Sequence, residues 1–543
     1  MQDRTAPPCL ARDIVTPTAL APDQVEGRLH AGTHLRVRLA GFTLPALLQP
    51  MHARLLPAQR QAQILLGLGC VLHATVGALH GLSVDEAHYL LYALHPALSY
   101  FDHPPMVGWL QWPLVALEAP VAVLRLLPGL IWLASGWLIQ QLAKQLSQGS
   151  ALAADRAGLA AVSVFLLAPL FNVLAIGLLP DSLLTLLSLA LMHQTLRLMQ
   201  PLALSRPRDW LLLGLLLGLA GLSKYTAILA ALAVALCLLR THGWRLLRQP
   251  WLWAATLLAL LLVAPVLVWN AQHQWLSFVY QAQHGAGTGW QLRPLLTFGL
   301  LQLLAYGPLL LWAVPGWRQA TSGAGRLTAL FFVLPFGVLA WLSAGGSSLP
   351  HWTAPAWAAL VPFAGLGLAC ALQQGRRWLL TTVTSLQAVA LTLLLSAMAT
   401  GLAPWPNSEP GQTQAANPFA DLHGWDLASE RARLLAPAHG LNALAVQHWT
   451  LASRLGWYAR PLSVQVLDHR VDQFDLWTAP LAAGGNALLV DWSLMPFALP
   501  VGPAGFDNCQ LLDSMPVRRW GTLLSEFRFY DCRGWQGGSG EQT

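Results

Sequence analysis

The sequence predicts a mainly α, polytopic membrane protein of about eleven or more transmembrane helices, followed by a small C-terminal soluble α/β domain. Three observations predict it. The chain of 543 residues is 55% hydrophobic and only 10% charged, a balance that no water-soluble globule of this length needs. Apolar runs of about 20 residues, enough to cross a bilayer core roughly 30 Å thick, recur from about Gln63 to about Thr400. From Gly401 the character changes abruptly, through a linker holding Pro404, Pro406, Asn407, Ser408, Glu409 and Pro410, to a segment of ordinary charge density.

The helices are expected at about 63–82, 126–146, 157–175, 181–198, 209–222, 225–239, 251–269, 295–316, 327–343, 353–373 and 378–400. With a cytoplasmic N-terminus, the inner loops carry Lys144, Arg156, Arg197, Arg206, Arg208, Arg240, Arg245, Arg248, Arg318, Arg326, Arg376 and Arg377, and the outer loops almost no cation. The stretch from Asp209 to Leu239 is read as two helices divided near Gly221-Leu222-Ser223-Lys224, because the division keeps Arg208 and Arg240 on one side. No cleaved signal-peptide pattern precedes the first run, which is expected to act as a signal anchor. Residues 1–60, rich in Pro, Arg, His and Ala without apolar periodicity, are expected to be a disordered cytoplasmic extension, with Met51 as an alternative start. Residues 61–401 then form the membrane domain and residues 402–543 a periplasmic soluble domain of a multi-pass inner-membrane protein. The net charge of +7 is scattered through short loops instead of clustering with aromatics on one soluble face, so it reads as a topology signal and not as a nucleic-acid surface.

Within the soluble segment, Trp425 to Ala436 and Thr450 to Tyr458 have helical spacing. Leu444 to His448, Val464 to Leu467, Ala487 to Val490 and Phe527 to Tyr530 read as strands. No Gly-rich phosphate loop or metal-ligand cysteine spacing occurs there, which leaves the domain a supporting role such as capping a cavity or contacting an acceptor. Cys509 and Cys532 share this oxidising compartment, so a disulfide is expected between them; two buried thiols are the alternative.

Ionisable groups gather on the outer side. Asp85 and Glu86 follow the first span, and being adjacent on a helix they point about 100° apart, so one of them is expected to face a cavity. A partly desolvated carboxylate gains basicity and suits proton abstraction from a hydroxyl; helix capping by Ser83 or Asp85 is the competing explanation. In Tyr100-Phe101-Asp102-His103-Pro104-Pro105, two prolines fix the turn that carries Asp102 and His103, where His103 either meets a phosphate or simply reaches water. Asp181 lies in Leu179-Pro180-Asp181, again either reactive or a helix-start residue. Lys224 breaches the positive-inside bias, pointing to an anion partner or to snorkelling. The polar, aromatic segment from Trp269 through Trp275 to Gly289, with Arg293 beyond it, has the character of a loop that closes over substrate. His351 reaches the same face in Leu349-Pro350-His351-Trp352. No cofactor is specified. A divalent metal is compatible with His88, His103, His284, His351 and Glu86, but no ligand spacing is diagnostic.

Asp85-Glu86 after the first span, Tyr100 to Pro105, Leu179-Pro180-Asp181, Gly221 to Thr226 and the Trp269 to Trp275 segment together resemble the family 39 and family 83 glycosyltransferases, the GT-C membrane enzymes that include dolichyl-phosphate-mannose protein mannosyltransferases and bacterial aminoarabinose transferases. The resemblance implies an inverting glycosyltransferase that moves a sugar from a polyprenyl-phosphate carrier to a hydroxyl of a lipid, glycan or protein at the outer membrane face. It implies Asp85 as base and Asp181 as a second active-site carboxylate. A Lys commonly occupies the position of His103 in the aminoarabinose transferases, so here carrier-phosphate contact is expected to shift to Lys224 or Arg293. A transporter or flippase for an envelope precursor is the alternative; the absence of an internal repeat and the outer-face position of the charges weigh against it.

Overall fold

The computed structural model describes residues 57–537 apart from 148–149, 202–204, 287–288, 321–322, 347 and 404–416. The expected extension as far as residue 56, the alternative start at Met51, the Pro404 to Pro410 linker and the side chain of His284 lie outside the described residues.

Every expected apolar run is largely helical, and several of the breaks fall at prolines or glycines. After α1 (Pro57–Gly77) come two helices in a segment expected to be loop, α2 (Val84–Leu94) and α3 (Met106–Ala116), then α4 (Val121–Leu124) and α5 (Leu126–Leu146). The run expected over 157–175 is two pieces, α6 (Ala151–Leu167) and α7 (Pro169–Val173), because Pro169 has no N–H with which to continue the ladder. Then α8 (Pro180–Leu198), α9 (Pro207–Ser223) and α10 (Ala227–His242) follow, with Lys224 extended in the break between the last two. Next, α11 (Pro250–Gln272) is followed by α12 (Leu276–Ala286), a helix where a loop was expected; Gln274 and Trp275 take positive φ at the corner between them. The run over 295–316 is bent by 79° between α13 (Leu292–Tyr306) and α14 (Leu309–Gln319), and α15 (Gly323–Leu327), α16 (Leu330–Ser343), α17 (Ala354–Gln373) and α18 (Arg377–Thr400) complete the bundle. Among the described residues, six spans are long and apolar enough to cross a membrane, or seven with the bent pair; the other expected runs are helical but shorter or less apolar.

The bundle is built around α17, whose apolar window is 94% buried and which packs against α5, α6, α8, α14 and α16. Small residues permit this: a Cβ on Gly316 or Gly367 would overlap the carbonyl of Phe363 or Trp312, so the α14 and α17 backbones meet only because both positions are glycine.

The C-terminal domain contains α19 (Trp425–Ala438), β1 (Ala443–Val446), α20 (Trp449–Tyr458), β2 (Ser463–Val466), α21 (Gln473–Trp477), β3 (Ala487–Trp492), β4 (Phe506–Arg519) and β5 (Thr522–Trp535). The sheet order is β2-β1-β3-β5-β4, with β2, β1 and β3 parallel and a long antiparallel hairpin of β4 and β5. The sequence reading misses β4. This edge strand holds Pro516 and is shifted out of register between Leu511 and Asp513 and between Val517 and Arg518, which breaks the apolar alternation that marks a strand. One buried cluster runs without interruption from Leu90 and Leu91 of α2 to Leu455 and Phe474 of the domain. The domain therefore seats directly on the helix that carries Asp85.

Cys509 and Cys532 are joined by a disulfide across directly opposed positions of β4 and β5, 23 residues apart in sequence. Cys70 and Cys237 are free thiols within helices. Closing a loop of that length contributes about 3 kcal/mol in the chain-entropy model. Replacing either Cys509 or Cys532 with Ser should make the C-terminal domain sensitive to limited proteolysis while the membrane bundle stays resistant. Equal resistance in wild type and variant would show that the sheet alone holds the hairpin.

Candidate active site

Ser83 caps α2: its Oγ accepts from the Glu86 N–H at 3.3 Å, while Glu86 Oε2 accepts from the Ser83 N–H at 3.0 Å. The capping explanation weighed for these acids therefore describes Glu86. Its carboxylate also accepts two hydrogen bonds from Arg125, at 2.8 Å from Nε and 3.0 Å from Nη2. The same guanidinium donates to the carbonyls of Gly77, His80 and Gly81, so one buried cation ties the end of α1 to the start of α2. Gly177 lies against this pair, where a Cβ would come within 2.8 Å of Glu86 Cγ. Burial pushes Glu86 up, but the Arg125 charge and hydrogen bonds outweigh it and hold the carboxyl below the usual range.

With Glu86 turned to Arg125, Asp85 faces the other way. Burial above all, with Asp102 and Asp181 adding to it and His103 and Lys224 opposing, pushes its carboxyl up to about 6. These four neighbours place Asp85 in one electrostatic cluster with the other acids singled out in the sequence. Asp102 receives a hydrogen bond from the Tyr92 hydroxyl and lies 3.1 Å from His103 Nδ1. Burial raises Asp102, yet His103 and Tyr92 together pull it well below the ordinary carboxylate range.

The Asp102 turn is held from three sides. Tyr100 stacks on Tyr92 with ring centroids 3.7 Å apart, Ser277 and Gln281 of α12 donate to the carbonyls of Tyr100 and Asp102 at 2.8 and 2.7 Å, and the Phe101 N–H donates to Gln473 of α21 at 2.7 Å. Behind Asp85, His88 lies 3.1 Å from Ser453 of α20 and is kept neutral by burial, which lowers it to about 4. The soluble domain thus buttresses both α2 and the Asp102 turn.

Asp181, in the first turn of α8, holds Lys224 Nζ symmetrically at 2.7 Å from each carboxylate oxygen. His351 Nε2 approaches the same carboxylate at 3.9 Å, and the Trp352 ring centroid lies 5.7 Å from the ammonium. The pair is buried, with Asp181 at 1% and Lys224 at 7% exposure, which removes snorkelling as the reason for this lysine.

The structure therefore brings Asp85, Asp102, His103, Asp181, Lys224 and His351 together, sets Glu86 apart against Arg125, and leaves two expected residues outside. Trp275 is 49% exposed and stacks on Phe278, and Arg293 is exposed in the first turn of α13. Among the described residues, no group of three or more His, Cys, Asp or Glu has the arrangement of a metal site. Sequence reasoning missed Arg125, Tyr92 and Gln281, and weighed His88 only as a possible metal ligand, not as the residue behind Asp85. Arg125 left a signal, since it is a cation on the side where the bias allows almost none. The other three lie in segments read as loop, so no helical face was available to align them.

Several comparisons bear on this arrangement. The profile described as Dolichyl-phosphate-mannose-protein mannosyltransferase matches residues 102–269, which include the Asp102, Asp181 and Lys224 positions. The apo crystal structure of ArnT from Cupriavidus metallidurans matches at a TM-score of 0.54 and 16% identity, covering 79% of this chain and 92% of that one. The structure of the same protein bound to undecaprenyl phosphate matches at 0.57 and 17% identity over the same shares. No curated protein sequence matches the chain. The fold is the GT-C fold of ArnT.

Removing Arg125 should expose the strain its partner creates. Arg125→Met leaves the Glu86 carboxylate buried and unpaired, a change that costs about 3–5 kcal/mol in comparable buried pairs. The thermal unfolding midpoint in detergent should fall clearly, and the double variant with Glu86→Gln should recover part of the loss. An unchanged midpoint in Arg125→Met would show that the pair does not tie α1 to α2.

Proposed function

We propose that this GT-C chain is an inverting glycosyltransferase, which moves a sugar from a polyprenyl-phosphate carrier to a hydroxyl acceptor at the outer face of the inner membrane. The observation that carries the reading is the Asp85 carboxyl, raised to about 6 and set among Asp102-His103 and Asp181-Lys224 at one end of an apolar bundle. The match to undecaprenyl-phosphate-bound ArnT and the mannosyltransferase profile support a lipid-linked donor. The cationic bias of the opposite loops supports the outer-face location.

In the reaction, the acceptor oxygen bonds to the anomeric carbon as its proton passes to Asp85. The bond from that carbon to the phosphate oxygen breaks, and its electron pair leaves with polyprenyl phosphate. A phosphate leaving group needs no proton, so one base and one cation suffice where glycoside hydrolysis requires a second acid. Asp85 is suited to the base because its raised basicity still leaves it ionised near neutral pH. Lys224 supplies charge for the departing phosphate, and Asp181 and the Trp352 ring fix the ammonium. His103, held by Asp102, offers a second donor toward the carrier. Glu86 positions α2 and takes no proton, and Arg293 and Trp275 contribute at most to the approach of substrate.

Asp85→Asn should abolish transfer in membranes supplied with a polyprenyl-phosphate sugar while expression and unfolding midpoint hold, because size and polarity are kept. For wild type, the group must be ionised to act, so kcat/KM should rise tenfold per unit below about pH 6 and level off above it. Near-normal turnover in the Asn variant, or a profile with no limb near that pH, would remove Asp85 as the base.

Lys224→Ala should be made together with Asp181→Asn, so that no buried charge is left alone. Losing a charge-assisted bond to phosphate worth about 1.5–3 kcal/mol should raise KM for the lipid donor roughly ten- to hundredfold. Arg293→Ala should change it far less. The reverse ranking would move phosphate binding to α13.

A further inference from the structure

The C-terminal domain holds a cavity of about 550 Å³ that the transfer chemistry does not use. It opens at the C-terminal ends of the parallel strands β1 and β2, where Gln447 follows β1 and Asp468 follows β2; open parallel sheets present their ligand crevices at such ends. Its apolar walls are the rings of Phe474, Phe497 and Trp535, and Gln447, Gln465 and Asp468 supply amide and carboxylate oxygens between them. Phe497 is exposed and stacked against the His448 ring at 6.2 Å, so a flat aromatic surface is already presented to solvent. Asp468 Oδ1 is buried and has no hydrogen-bond partner among the described residues, an acceptor waiting for a donor. Asp468 and Asp475 line the cavity beside His469, and among the described residues no Lys or Arg lines it, with Arg470 acting on Asp468 from nearby; the two lining carboxylates weigh against anionic ligands.

Flat rings alternating with fixed acceptor oxygens match the apolar faces and hydroxyl donors of a sugar, and the charge of the lining selects against acidic ones. We propose that this cavity binds an uncharged oligosaccharide, the glycan arm of the acceptor. Only the word acceptor rests on the transferase reading; the binding itself does not. The position serves that role, because α21 is shared between cavity and active site. Phe474 lines the cavity and packs on the ring of His88 at 6.1 Å, three residues from Asp85, while the neighbouring Gln473 holds the Asp102 turn. A glycan seated here lies against the same short helix that walls the reaction centre.

The test is retention of full-length protein in detergent on an array of immobilised neutral, sialylated and sulfated oligosaccharides. Wild type should be retained on neutral glycans and not on the acidic ones. Phe497→Ala, Asp468→Asn and Gln465→Ala should each lower retention at least tenfold without moving the unfolding midpoint, and Asp85→Asn should leave it unchanged. Since retention needs no turnover, a failed transfer assay with normal retention would reject the transferase reading and keep the site. No retention on any neutral glycan, preference for acidic glycans, or undiminished retention in Phe497→Ala and Gln465→Ala would overturn the proposal.

Discussion

The buried pair of Arg125 and Glu86 is the contact on which the geometry of the site depends. One guanidinium satisfies both oxygens of the carboxylate and three carbonyls where α1 ends, so the first helix of the bundle and the helix carrying Asp85 meet at a fixed angle. Two adjacent acids on a helix cannot share one direction. By giving Glu86 an internal partner, the fold leaves Asp85 the side that looks toward Asp102, Asp181 and Lys224. Gly177 belongs to the same constraint, since a side chain there would displace the Glu86 carboxylate and, with it, the segment that leads into Asp181.

Within the site, the other three acids each have a close cation or donor. Asp181 has Lys224, Asp102 has His103 and Tyr92, and Glu86 has Arg125. For Asp85 no such close partner occurs among the described residues, and burial is the largest influence on its basicity. The soluble domain is part of this arrangement and not an appendage: its α20 and α21 reach His88 and Phe101, backing α2 and the Asp102 turn.

The helical bundle was legible because twenty-residue apolar runs have one physical solution in a bilayer, and the division at Lys224 was legible from the distribution of arginines. The acids were legible because charge at the mouth of such a bundle is costly without a purpose. What escaped is what sequence spacing does not encode. The helices α2, α3 and α12 are short, 11 residues each, so neither span length nor a cationic flank marks them. Residue spacing alone did not choose between Glu86 and Asp85, and the resemblance favoured Asp85; Arg125, from a distant part of the chain, is what engages Glu86. Arg293 looked apt as a cation near an aromatic loop, yet α13 starts by pointing it outward. β4 was hidden by its proline and its register shifts.

The central claim is that this cluster breaks a sugar–phosphate bond of a polyprenyl carrier by single displacement. It is tested most directly by giving the purified protein, in lipid, a polyprenyl-phosphate donor labelled at the anomeric carbon and reading the product by nuclear magnetic resonance. The account predicts label on a hydroxyl acceptor with inverted anomeric configuration and free polyprenyl phosphate released in equal amount. Retention of configuration, or transfer from a nucleotide sugar with the lipid-linked donor left intact, would contradict it.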